Sequence, residues 1–398
     1  MATKIWQGGA PAVAQVQDYV FTGTWEAGDI IQCTIGDVAI SLAAGSTTKA
    51  TIVDLIVSTW NALSATQYPQ FAEITASRTG DTLRLTADTA GKPFACTLLT
   101  TEAGGGAADD QLIDGGTSSV GVATVANAGP NDWSTAANWD TNAVPVNTND
   151  VILENSSVSI LYGLAQSAVT LASLTIRKSF TGYLGLPRNA ALYPEYREQY
   201  LCIGATICLI GQGAGTGSGR IKVNFGSVQT ACTVYGSGGS AEANIPAVLL
   251  QGTHAANVLT VLDGDVGVAF FGGETAVVAT LTQAGGTLRI NANLTTANVN
   301  GGQCTIGGTA TVATLNANGG TTYYTSSGTC TAANIAAAVD CSADSRARFF
   351  STTKLFKGAV LRDPGKSITH TNGLALQNCR LADVSLDVGY GRTITLTA

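Results

Sequence analysis

Charge is the scarcest ingredient of this chain. Only 12% of its 398 residues are Asp, Glu, Lys or Arg, about half the usual share in a globular protein. Two histidines and one methionine leave acid–base catalysis and metal ligation few players. Basic residues are outnumbered and the formal net charge is −7, which argues against nucleic acid as a partner. No apolar run approaches the roughly 18 residues of a membrane helix, so membrane insertion is not expected. The N-terminus, Met1-Ala2-Thr3-Lys4-Ile5-Trp6, has neither the basic nor the apolar region of an export signal, and synthesis in a cytoplasm is expected. No phosphate loop or dinucleotide fingerprint occurs, and no cofactor is expected.

What is abundant is small. The chain has 47 glycines with many Ala, Thr, Ser and Asn, yet 45% of residues are apolar, so it is not a disordered sequence. This composition fits close-packed repetitive β structure or extensive subunit contact. The nine cysteines form no Cys-x-x-Cys pair; they read as small buried apolar residues kept reduced, with disulfides or a zinc site as alternatives. Cys202 and Cys208, at even spacing, are expected on one face of an extended segment.

Residues 1–103 read as a small α+β attachment domain. Alternating runs flank Gly36-Asp37 and Gly80-Asp81, the signature of two hairpins. Between them Ile52, Leu55, Ile56, Trp60 and Leu63 share a helical face, with Ser46, Thr47 or Thr48 as the cap. Asp54 lies on the polar side and is expected to be solvated. Residues 104–130 are Gly- and Asp-rich and read as a linker with a closing strand at Val120–Val125; Asp109, Asp110 and Asp114 offer hard oxygen ligands without fixed spacing.

From 131 to 398 short apolar stretches alternate with Gly, Asn, Thr and Ser. Leu281, Val299, Leu315 and Ile335 lead a quasi-repeat, three of them followed by Gly285-Gly286, Gly301-Gly302 and Gly319-Gly320. Spacings of 18, 16 and 20 residues suit coils of a parallel β-helix (β-solenoid), with β-sandwich domains as the alternative. At about 18 residues per coil the region holds about 14 coils, roughly 70 Å at about 4.8 Å each. Trp133 and Trp139 are candidates to plug the first coil. The stretch from Trp133 to Leu153 resembles the opening segment of large bacterial β-helical surface proteins.

Two segments interrupt the bland texture. An insertion at 177–200 carries Arg188, Tyr193, Glu195, Tyr196, Arg197, Glu198 and Tyr200, a mixture suited to a subunit interface or a glycan groove. Glu195 and Glu198 as an acid and base pair are the enzymatic alternative, a polysaccharide depolymerase. Arg346, Arg348, Lys354 and Lys357 form a basic patch extended by Arg362 and Lys366. Asp263-Gly264-Asp265 reads as a turn, and His254 and His370 as structural. No catalytic or metal site is assigned.

Gly28-Asp29, Ile35-Gly36, Trp60-Asn61 and Phe71-Ala72-Glu73-Ile74-Thr75-Ala76 resemble segments of small domains in tailed-bacteriophage virion proteins. Tyr193-Pro194-Glu195-Tyr196-Arg197 and Gly252-Thr253-His254-Ala255-Ala256-Asn257 are similar to segments of phage and prophage structural proteins. The resemblance implies a non-enzymatic virion component, a tail spike or fibre or a capsid decoration, made in the host cytoplasm. It implies a homo-oligomer, with a trimer favoured, contacts to other virion proteins, and a host-surface glycan as a further partner. A bacterial β-helical adhesin is the remaining alternative.

Overall fold

The computed structural model describes residues 2–103, 110–187, 195–211, 214, 217, 219–238, 245–389 and 396–397. The chain divides into two compact units. One is a parallel β-solenoid, comprising Met1–Gln7, Trp139–Pro187 and Tyr200–Ala398. The other is a small α+β unit, comprising Gly8–Asn138 and Arg188–Gln199.

These boundaries differ from the expected ones at three places. Strand Thr3–Ile5 pairs in parallel with Asp150–Leu153, so the first rung precedes the small unit in sequence. The closing strand forms at Val122–Val125 and pairs with Val16–Gly23, but the supposed linker before it also supplies strands: Gln111–Ile113 pairs with Val16–Gly23, and Ser118–Ser119 with Thr97–Thr101. Residues Arg188–Gln199 group with the small unit. A short first strand and a Gly-rich stretch carry too little periodicity to betray such pairings.

In the small unit both hairpins form at the Gly-Asp pairs. Ile35 partners Val38 and Thr79 partners Thr82, leaving two-residue turns whose leading glycines have φ of 61°. Only glycine takes that value without strain. The helix, α1, runs Lys49–Asn61 and buries Ile52, Val53, Ile56 and Trp60. Leu55 lies outside this face, 37% exposed; Val53 takes its place. Thr48 is the N-cap residue but makes no side-chain cap bond, and Ser46 Oγ accepts the Thr48 amide instead. Asp54 is paired with Arg78 at 2.6 Å. The Trp60 and Phe71 rings meet edge-on, 4.7 Å between centroids, and Trp60 Nε1 donates to the Ile74 carbonyl, so the helix is pinned to the sheet by area and by one directed bond.

The solenoid is a 23-stranded parallel sheet in sequential order, wound so that alternate strands fall into two ladders. A sandwich of antiparallel sheets is thereby ruled out for this unit. The expected column of leaders is out of register by two residues in alternate coils. Leu281 partners Ala297, Ala297 partners Leu315, and Leu315 partners Ala333. Val299 belongs to the next inward column, with Gln283, Ala317 and Ile335. Both columns face inward and are fully buried, because a shift of two keeps the face of a strand. Each Leu buried in such a column contributes about 1.5–3 kcal/mol.

The glycine pairs do form corners. Gly286, Gly302 and Gly320 have φ of 68°, 74° and 64°. A Cβ on Gly302 would lie 2.3 Å from the Gly286 carbonyl oxygen, and one on Gly320 2.2 Å from that of Gly302. The corner backbones stack too closely for any side chain. Earlier coils are longer: Cys208 partners Cys232, which partners Leu259, which partners Leu281. The stack therefore holds fewer coils than 18 residues apiece would give.

Trp6 and Trp139 meet edge-on at 5.2 Å in the first coil, and Trp6 Nε1 donates to the Val158 carbonyl. Trp133, expected beside Trp139, is buried in the small unit instead. Cys202 and Cys208 do not share a face. Strand Leu201–Ile210 turns a corner, pairing Cys202 with Asn224 in one ladder and Cys208 with Cys232 in the other. All nine cysteines are free thiols, seven of them buried. No helix among the described residues is long and apolar enough to cross a membrane.

Candidate functional site

The sequence-selected residues of 188–200 are divided between the two units. Arg188 and Tyr193 lie outside the described residues. Glu195, Tyr196 and Arg197 belong to the small unit and Tyr200 to the solenoid. Arg197, only 9% exposed at its side chain, pairs with Glu73 at 2.5 Å and Glu195 at 3.0 Å. Its Nε donates to the Pro93 carbonyl at 2.6 Å. Lys92 completes the cluster through Glu73. Burial alone would lower the guanidinium pKa; Tyr196, Glu73 and Glu195 more than offset it and hold Arg197 above its ordinary value. Tyr196 packs on the hairpin glycine, where a Cβ on Gly36 would sit 2.4 Å from the Tyr196 Cβ. These side chains clip a remote segment onto the small unit. The Glu195 carboxylate is held by Arg197 and Glu198 is exposed, its Oε1 accepting the Gln199 amide.

Tyr200 is buried in the solenoid, and its hydroxyl donates to Glu274 Oε1 at 2.6 Å. Burial and that carboxylate push the phenol above its ordinary pKa. Lys222, buried on the same unit, donates to the Leu186 carbonyl at 2.7 Å and lies 5.7 Å from the Tyr200 ring. No local pattern marks this grouping, whose members are far apart in the chain.

The basic patch loses its central member. Arg348 points into the solenoid with no exposure. It donates to the carbonyls of Tyr324 and Arg346 and to Ser367 Oγ, and pairs with Asp344. Even parity along Arg348–Leu355 places Arg348 on the buried side with Phe350. Arg346, Lys354 and Lys357 remain exposed, and Arg362 pairs with Asp340 at 3.7 Å. His254 Nδ1 accepts the Ala256 amide, and His370 Nδ1 lies 3.1 Å from Thr353 Oγ1. Asp263 Oδ1 accepts the amide of Gly264, whose φ is 104°, as a turn requires.

One acidic cluster escaped the sequence reading. Carboxylate oxygens of Glu26, Asp29 and Glu102 lie within 4.8 Å of one another at a rim of the small unit. Asp29 is fully buried and its Oδ2 accepts the Glu26 amide. Burial raises the Glu26 pKa, and Asp110, Asp29 and Glu102 raise it further. Such oxygens are the donor type a hard divalent cation takes. Of the loop aspartates, Asp109 lies outside the described residues, and Asp114 binds the Val20 amide and the Ser119 hydroxyl. Cavities among the described residues of the solenoid include one of about 30 Å³ beside Cys232 and one of about 210 Å³ beside Cys202 and Asn224. Neither lining carries a carboxylate or an imidazole.

A regular surface among the described residues is the outer side of one solenoid ladder. Outward residues alternate with the buried columns. Thr280, Thr296 and Thr314 stack in register, as do Thr282, Asn298, Asn316 and Asn334. Asn316 Nδ2 donates to Asn298 Oδ1, and Asn334 Nδ2 to Asn316 Oδ1, both at 2.8 Å. The same contact recurs two residues further along these rungs, where Asn318 Nδ2 donates to Asn300 Oδ1 at 2.9 Å. From Ser173 and Thr175 to Ala332 and Asn334, neither of the two outward columns holds a charged residue. The other ladder differs: one of its two outward columns runs Arg289, Thr305, Tyr323, Asp340, Arg362, Asp387, beside an uncharged one of Thr287, Gln303, Thr321, Ala338, Val360 and Ser385. Alternation alone made these columns available to sequence reading; the two-residue slip in register hid which Asn and Thr stack.

No family model, curated protein or solved structure matches the chain.

Proposed function

We propose that this chain is a non-enzymatic structural protein of a tailed-bacteriophage particle, a spike, fibre or capsid decoration, made in the host cytoplasm. The observation that supports it is the uncharged Thr/Asn face on a solenoid whose chain carries a net charge of −7. A scaffold that is arrayed in copies needs a surface on which like-charged subunits meet without opposing charges. The small unit serves as the attachment domain in this reading, and the solenoid contacts other virion proteins or further copies, with a trimer favoured by the resemblance of its segments to phage structural proteins. A host-surface glycan is a further partner of the same reading.

The test is mass spectrometry of density-banded particles from a lysed host culture, with immunogold labelling of those particles. Peptides of this chain should co-band with the capsid or tail proteins, and label should fall at a fixed place on the particle. Recovery only in the soluble fraction overturns the particle assignment.

A further inference from the structure

The geometry points to the uncharged Thr/Asn face as a self-association surface, covered by a second copy of this chain; this deepens the scaffold reading above and rests on it. Three observations converge. First, both outward columns lack charge between Ser173 and Asn334, whereas one of the two outward columns of the opposite ladder carries Arg289, Asp340, Arg362 and Asp387. Charge depletion marks the core of interfaces, and two chains of charge −7 approach at least cost where neither presents a carboxylate.

Second, the polar groups of this face are partly satisfied within the chain. Asn316, the inner member of the Asn ladder, gives one N–H to Asn298 and receives one from Asn334. Covering such a row costs less than covering free amides, whose desolvation is uncompensated. Third, size and pitch agree. Eight rungs at about 4.8 Å span about 35 Å, and four residues across span about 14 Å. This gives on the order of 500 Å² per copy, or about 1,000 Å² in total, the lower limit of a specific interface. A second copy has the same rung spacing, so its uncharged side chains, Ile207, Leu209, Ala231 and Val258 on the earlier rungs and mostly Thr and Asn on the later ones, mesh along the whole length. A partner of other architecture has no such repeat.

The experiment is sedimentation velocity on the full chain, over a wide concentration range, for wild type, Thr314→Arg and Thr305→Arg. Thr314 sits mid-face, and Thr305 sits on the outward column of the opposite ladder. Thr296→Glu is the second mid-face variant, should Thr314→Arg lose its native circular dichroism. Wild type should self-associate, and the mid-face charge should weaken association by about a hundredfold or more, as expected for a like charge forced against itself across an interface. Thr305→Arg should match wild type, and added salt should leave or strengthen association, since no ion pair is lost and net repulsion is screened. A wild-type chain that stays monomeric, or an oligomer indifferent to both mid-face charges, overturns the proposal. Failure here with the chain still found on particles retires this face alone; absence from particles with self-association intact retires the particle assignment alone.

Discussion

The two units reach a buried core by opposite routes. Along the solenoid ladders a core residue meets its counterpart one coil up and one coil down: Ala297 has Leu281 on one side and Leu315 on the other. In the small unit the contacts are singular and distant, as when Arg197 reaches Glu73, or Asn61 brackets the Ala76 backbone with two bonds. A ladder position therefore demands a size and a face, whereas a small-unit position demands a particular partner. This difference explains why one half of the chain reads as a pattern and the other as two hairpins and a helix.

The sharpest way to break the comparison is at a corner of the solenoid. Gly302 cannot be exchanged within its column, because its φ of 74° and the Gly286 carbonyl 2.3 Å from any Cβ both exclude a side chain. Gly302→Val should cost about 4 kcal/mol or more, in the range reserved for strain and backbone displacement. Urea unfolding monitored by circular dichroism measures it; a cost near that of a surface substitution would mean that the corners slide freely.

Interior positions test the opposite limit. Leu315→Ala should destabilise by about 2–5 kcal/mol, through lost area and the cavity left behind. Ala297→Leu alone should cost about 1–3 kcal/mol by overpacking. The double variant exchanges the two residues between neighbouring rungs and keeps the volume of the column. It should be more stable than the sum of the singles by about 1 kcal/mol or more, because the sites touch. Strict additivity in the same urea experiment would show that each rung packs alone and that the ladder view is wrong.

What was legible follows the same division. Gly36-Asp37 and Gly80-Asp81 announced the hairpins because glycine's positive φ is a local demand. Period-two alternation announced a stacked coil, but a period cannot distinguish registers that differ by two residues, so Leu281 was aligned with Val299 rather than Ala297. Parity failed at Cys202 and Cys208 because the strand turns a corner between them. Arg348 reads as a surface charge because composition says nothing of direction, and its burial rests on the Tyr324 carbonyl and the Ser367 hydroxyl of neighbouring coils. The acidic rim was invisible for the small unit's own reason: Glu26, Asp29 and Glu102 meet only after strands remote in sequence are paired.

That rim yields the smallest effect and the one whose sign matters most. Burial and the neighbouring carboxylates of Asp110, Asp29 and Glu102 raise the Glu26 pKa in the folded chain, so the native state holds this proton more tightly than the unfolded chain. The contribution is fully present below the unfolded value of 4.5 and is lost as pH rises through the raised folded value. Mild acidification from neutrality should therefore tighten the small unit around residues 24–31 while leaving the solenoid ladders unchanged. Glu26→Gln, which keeps the shape and removes the charge, should slow amide exchange in that segment at neutral pH and flatten its pH dependence. Hydrogen exchange by mass spectrometry reads both units in one sample. Faster exchange at residues 24–31 in the Gln variant at neutral pH would mean that the Glu26 charge is held by a favourable partner, and that the rim is a stabilised cluster rather than a strained one.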